Sequence, residues 1–147
     1  MSDTSAALCL PEQIEFQGTT YKVGPVSFEI EAIFCDGLLD RALSLAVRKA
    51  HVLGPAGARD LLAGVARDQA AYQYEWGSDT VTKAIYSAGG FRRLFFLAVK
   101  KNHRDFTEAQ SEAICDDQQK WEEAQKVMGK LLKGPDPTTP PEAADNV

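Results

Sequence analysis

Leu38-Leu39-Asp40-Arg41-Ala42-Leu43-Ser44-Leu45-Ala46-Val47-Arg48-Lys49-Ala50-His51-Val52-Leu53-Gly54-Pro55 is the stretch that decides the fold class. Leu39, Ala42, Leu43, Ala46, Ala50 and Leu53 recur at the i, i+3, i+4, i+7 spacing of one helix face. Gly54-Pro55 then stops the helix, because proline cannot donate to the preceding turn. Toward the C-terminus the helical pattern resumes. Ala58, Leu61, Leu62, Val65, Gln69 and Tyr72 mark a second helix, with Gly64 a weak spot of about 1 kcal/mol relative to alanine. Ser78 is placed to cap a third helix through Ser87, and Gly89-Gly90 is expected to break it. Phe91 to His103 is apolar nearly all round, so it should be the most buried element. Thr107-Glu108-Ala109-Gln110 reads as a capping box opening a long helix to about Leu132. Ile114, Trp121, Ala124, Met128 and Leu131 form one stripe of that helix, and the acidic Asp117 falls on the same stripe.

Toward the N-terminus the period is two instead. Ile14-Glu15-Phe16 and Tyr21-Lys22-Val23 alternate around Gln17-Gly18-Thr19-Thr20, the pattern of a β-hairpin. Val26 to Phe34 fits either a strand or a short helix, and Asp36-Gly37 reads as the turn that starts the first long helix. Residues 1–13 are small and polar, and residues 134–147 hold four of the seven prolines and almost nothing apolar. Both ends are expected to be disordered. The expected architecture is therefore mainly α: one domain over residues 14–133, with four to five helices and a small N-terminal β-hairpin.

A formal charge of −5 and a pI near 5.0 argue against nucleic acid and anionic membrane surfaces as partners. Cys9, Cys35 and Cys115 are odd in number and far apart, as expected of thiols in a reducing cytoplasm. The longest apolar run, Leu94 to Val99, is six residues, against roughly 20 for a membrane span. The N-terminus carries Asp3 where an export signal would carry a cation.

Catalytic chemistry finds little to work with. His51 and His103 stand at helix ends, where positive charge suits the dipole. The spacings of zinc, iron, calcium or phosphate-loop motifs are missing, so no cofactor or metal is expected. Were the chain an enzyme after all, His51, His103 and Cys115 would be the first residues to examine. The aromatic cluster points instead to protein binding, with Tyr74, Trp76, Tyr86 and Trp121 as candidate partner-binding residues. Tyr74-Glu75-Trp76-Gly77 falls in a connection between helices, where a large aromatic is a plug over the core or part of an exposed patch, and the plug is the favoured reading. Charge also segregates: residues 91–104 are basic, whereas residues 105–123 carry seven acids and one lysine.

The order of these features, from Tyr74-Glu75-Trp76-Gly77 through the aliphatic block ending in Lys100-Lys101-Asn102-His103 to Phe106-Thr107-Glu108, resembles the tail assembly chaperones of long-tailed bacteriophages. Trp76 to Leu132 carries most of the likeness, about two fifths of the chain. The resemblance implies a small, non-enzymatic helical protein of the host cytoplasm. Its partner would be the tape measure protein, kept from aggregating until tail-tube protein polymerises around it. A head–tail connector, a tail-completion subunit and a helical regulatory adaptor share the same profile.

Overall fold

The computed structural model describes residues 11–133, and the termini expected to be disordered lie outside them apart from Pro11 to Gln13. The elements are β1 (Glu12–Phe16), β2 (Thr19–Val23), α1 (Phe28–Ala70), α2 (Asp79–Ile85), α3 (Ala88–Lys100), α4 (Glu108–Asp116) and α5 (Gln118–Lys133). The fold is mainly helical with a two-stranded antiparallel hairpin, as the sequence patterns imply. Where the sequence suggested one domain, contacts gather in two compact units. Among the described residues one comprises residues 11–26 together with 95–133, and the other Ser27–Leu94.

In the first unit the hairpin is tighter than its sequence suggested. Glu12 pairs with Val23 and Phe16 with Thr19, leaving a two-residue turn. Gln17 and Gly18 have φ of 49° and 79°, the double left-handed geometry of a type I′ turn. Ile14 and Val23 are fully buried, and β1 packs against α5. The end of the hairpin is fastened to α3: Gly24 N–H donates to the Ala98 carbonyl at 3.0 Å. A side chain at Gly24 would lie 2.6 Å from Asn102 Nδ2 and would have to displace that amide.

The expected single C-terminal helix is two helices. The Thr107 capping box forms in full, with Gln110 N–H on Thr107 Oγ1 at 3.2 Å and Thr107 N–H on Gln110 Oε1 at 2.9 Å. The break falls at Asp117, whose ψ is 116°. Its Oδ1 accepts from Lys120 N–H at 3.1 Å, so it caps α5. An acid on an otherwise apolar stripe thus marks a new helix start. Ile114, Ala124 and Met128 are fully buried, as the stripe requires.

In the second unit the first helix starts ten residues before its expected position. Ser27 caps it, its Oγ accepting from Ile30 N–H at 3.4 Å. Asp36-Gly37, expected to be a turn, is helical interior. Burial of Ile30, Phe34 and Cys35 outweighs the roughly 1 kcal/mol that Gly37 costs in a helix.

Gly54 is the one non-helical residue inside α1, with φ 74° and ψ 179°, and it changes the chain's direction. A straight helix of 43 residues would run for about 64 Å. Yet Phe34 near one end meets Trp76 just past the other, ring centroids 6.1 Å apart. The two halves of α1 therefore fold back as a helical hairpin about Gly54-Pro55. Ala46, in the first half, is buried.

The second half ends in a Schellman motif. Gln73 N–H reaches the Asp68 carbonyl and Tyr72 N–H the Gln69 carbonyl, and the left-handed position usually held by glycine is Tyr72, with φ 59°. Ser78 caps α2 as expected, Val81 N–H donating to its Oγ at 3.2 Å. The expected break at Gly89-Gly90 lies instead at Tyr86-Ser87. Ser87 Oγ accepts from Gly90 N–H at 3.1 Å, opening α3. Both glycines are helical, and a side chain on Gly90 would collide with the Ala84 carbonyl. Phe91, Leu94, Phe95, Phe96, Ala98 and Val99 make α3 the deeply buried helix its composition predicts.

Candidate interaction surface

The loop after α1 holds two of the four candidate binding residues. Ser78 Oγ donates to the Gln73 carbonyl at 2.6 Å, and Thr80 Oγ1 donates to Gln73 Oε1 at 3.0 Å. This polar knot fixes the loop around Gly77, whose φ is 91°. Trp76 is thereby held half-buried, edge-on to Phe34, the geometry of a plug over the core. Tyr74 is also half-buried, and burial followed by the Asp68 carboxylate raises its phenol above the usual range.

Tyr86 is 73% exposed at the end of α2. Trp121 is half-buried on α5 and belongs to the other unit. The four aromatics form no single patch within either unit. Of the three candidates in the second unit, Tyr74 and Trp76 are half-buried and Tyr86 is exposed.

The candidates for chemistry have other attachments. His103 Nε2 accepts from Lys22 N–H at 2.8 Å, and its ring lies 5.6 Å from that of Tyr21, edge-on. Tyr21 in turn meets Phe106 at 5.3 Å, and Phe106 stacks on Phe96 at 5.8 Å. An imidazole expected to serve a helix dipole instead acts as an acceptor that ties β2 to the turn after α3. His51 is exposed on α1. Cys115 is buried. The Cys35 thiol is pushed up by burial first, then by the carboxylates of Asp36, Glu31 and Glu75, which makes it a weak nucleophile. Among the described residues no group of three His, Cys, Asp or Glu side chains could hold a metal ion. Among them, too, no helix is long and apolar enough to cross a membrane.

The surface that sequence reasoning missed lies on the α1 hairpin. Val52 is 85% exposed, and Leu43, Leu45, Val47, Leu53 and Leu62 are also exposed. Periodicity placed Leu43, Leu53 and Leu62 on core-facing stripes. It holds for Leu39, Ala42, Ala46 and Ala50, which are half-buried or buried, but two helices folded back on each other cover only one face of each. Leu45, Val47 and Val52 are off that stripe altogether, and their type alone could have flagged them.

Around the turn of this hairpin the charge is of one sign. Between Asp40 and Asp60 the chain carries Arg41, Arg48, Lys49 and Arg59 and no acid. Arg41 Nε donates to the Gly37 carbonyl at 3.2 Å. Arg48, Lys49 and Arg59 form no ion pair among the described residues. The hairpin end is thus basic and aliphatic in a chain of net charge −5. Comparison with protein-family models, with curated proteins and with solved structures gives no match for this chain.

Proposed function

We propose that this chain is a non-enzymatic assembly chaperone of the host cytoplasm that holds the tape measure protein of a long-tailed bacteriophage in solution until tail-tube subunits surround it. One observation carries the reading. Every large apolar side chain exposed among the described residues lies between Phe28 and Tyr86, and six of the ten lie on the α1 hairpin between Leu43 and Leu62. Full burial of such a side chain contributes about 1.5–3 kcal/mol, of which a half-exposed aliphatic forgoes roughly half. A partner helix laid along α1 recovers part of it, the helix-in-groove mode of recognition. The net negative charge keeps such a complex soluble, and the resemblance over Trp76 to Leu132 supplies the phage context. His103, engaged by a backbone amide, and Cys35, a raised thiol, favour binding over catalysis.

The test is co-expression of the tagged chain with the neighbouring genes of its genome. Co-purified proteins are identified by mass spectrometry and the complex is sized by light scattering. A long, helical protein that is insoluble alone and soluble in the complex is the expected product. A stable ring of this chain alone, with no client, overturns the proposal in favour of a connector or tail-completion subunit.

A further inference from the structure

We propose that His103 is an acid-released latch, which holds the middle of β2 against the turn after α3 while its ring is neutral and lets it go when the ring takes a proton. The bond that carries this is Lys22 N–H to His103 Nε2 at 2.8 Å. A backbone amide can only donate, so Nε2 offers its lone pair and the proton of the neutral ring sits on Nδ1. A proton on Nε2 sets two N–H groups against each other, and the bond is lost. His103 is half-buried, so protons reach it from solvent.

The hairpin register makes Lys22 depend on this one acceptor. Phe16 pairs with Thr19 across the two-residue turn and Ile14 with Tyr21, and the backbone groups of these residues point into the ladder. Those of the alternate residues, Thr20 and Lys22, point outward. Gly24 N–H, two residues on, is held by the Ala98 carbonyl at 3.0 Å, an acceptor that does not titrate. Release is therefore local and hinged at Gly24. The segment that moves carries Tyr21, whose ring meets those of His103 and Phe106 at 5.6 and 5.3 Å.

The elements around His103 offer an imidazolium no compensation. They carry Lys22 on β2, Lys100 at the end of α3, and Lys101 and Arg104 in the turn, against Asp105 in the turn and Glu12 and Glu15 on the neighbouring β1. Tyr21 is the other titratable side chain against the ring. His103 forms no ion pair among the described residues. Because the bond belongs to the neutral ring, the folded chain takes up this proton less readily than the unfolded one, and the tie weakens as pH falls.

The test is heteronuclear NMR of the full chain, titrated from about pH 8 to about pH 5, the range in which histidine changes charge. The ring nitrogens report the protonation of His103. Exchange rates of the Lys22 and Gly24 amides, each divided by its intrinsic rate at that pH, report the two ties. Lys22 protection should fall roughly ten-fold along the same curve as His103 protonation, the loss of one hydrogen bond, while Gly24 protection changes less than about two-fold. His103→Gln replaces the ring with an acceptor that does not titrate, and His103→Phe keeps a ring against Tyr21 with no acceptor. Lys22 protection should be independent of pH in both, high in the first and low in the second. An imidazole that stays neutral throughout the titration overturns the latch. So does Lys22 protection that ignores the state of the ring, that falls together with that of Gly24, or that keeps its pH dependence in either variant.

Discussion

The two units of this chain handle their apolar residues in opposite ways. In the unit holding the β-hairpin, the C-terminal end of α3, α4 and α5, Ile14, Val23, Phe95, Ile114, Ala124 and Met128 are buried, and no large apolar side chain is exposed among the described residues. In the Ser27–Leu94 unit, Ile30, Phe34, Val81 and Leu94 are equally well buried, yet all ten exposed large apolar residues belong to it. The difference is one of layers. In the first unit a sheet lies against α5, so helix and strand cover each other. The α1 hairpin is two helices deep, and its outer faces stay bare.

If the second unit is open outside but packed within, truncating a core ring should cost the same in both units. Phe34→Ala and Phe95→Ala are each expected to lose about 3–5 kcal/mol in urea unfolding. A loss below about 1 kcal/mol for Phe34→Ala alone would mean that the second unit is loosely packed, and its exposed residues would then reflect poor folding.

Asp117 tests the closed unit, where α4 gives way to α5. Its carboxylate accepts from Lys120 N–H, so Asp117→Ala should cost about 1 kcal/mol. Asp117→Asn should keep most of it. An equal loss in both variants would locate the effect in charge near the helix N-terminus.

Asp117 also shows what could be read from the sequence. Its position on the apolar stripe was visible, and the single-helix reading passed over it because a helix period continues through a cap without changing phase. Asp36-Gly37 and Gly89-Gly90 failed in the other direction. Both are strong local breakers, and both are helical because neighbouring burial and the close approach of Gly90 to Ala84 decide the backbone. The Thr107 capping box, the Ser78 cap, the hairpin, the Gly54 break and the burial of α3 were legible, since each is written in contiguous residues. The candidate surface was not. Periodicity identifies the face that could be buried, but whether a layer exists to bury it is a tertiary fact. The four aromatics, chosen by type, are distributed over both units.

A smaller effect of opposite sign is expected at Tyr72, on the open unit. A non-glycine residue in the left-handed region costs roughly 1–2 kcal/mol, while glycine's extra freedom in the unfolded chain takes back about 0.5–1. Tyr72→Gly should therefore raise stability by about 0.5 kcal/mol, read as a higher urea midpoint at unchanged slope. Tyr72 is 68% exposed, so few contacts are lost. A decrease in stability would show that its ring is engaged with the surface.

The smallest expected effect is the most telling for the comparison. Leu45→Gln combined with Val52→Gln removes two aliphatics from the bare face of α1, and glutamine is a good helix former. Folding stability should stay within about 0.5 kcal/mol of the parent, because Val52 is 85% and Leu45 46% exposed. Client binding should fall at the same time, which separates this pair from Phe34 and Phe95, where binding and stability decline together. A loss of more than about 1 kcal/mol, or a thermal midpoint that rises with protein concentration in the parent and not in the variant, would show the face covered in solution by another copy of the chain. The contrast between the closed and open units would then describe the isolated chain alone, and the assembly would have supplied the missing layer.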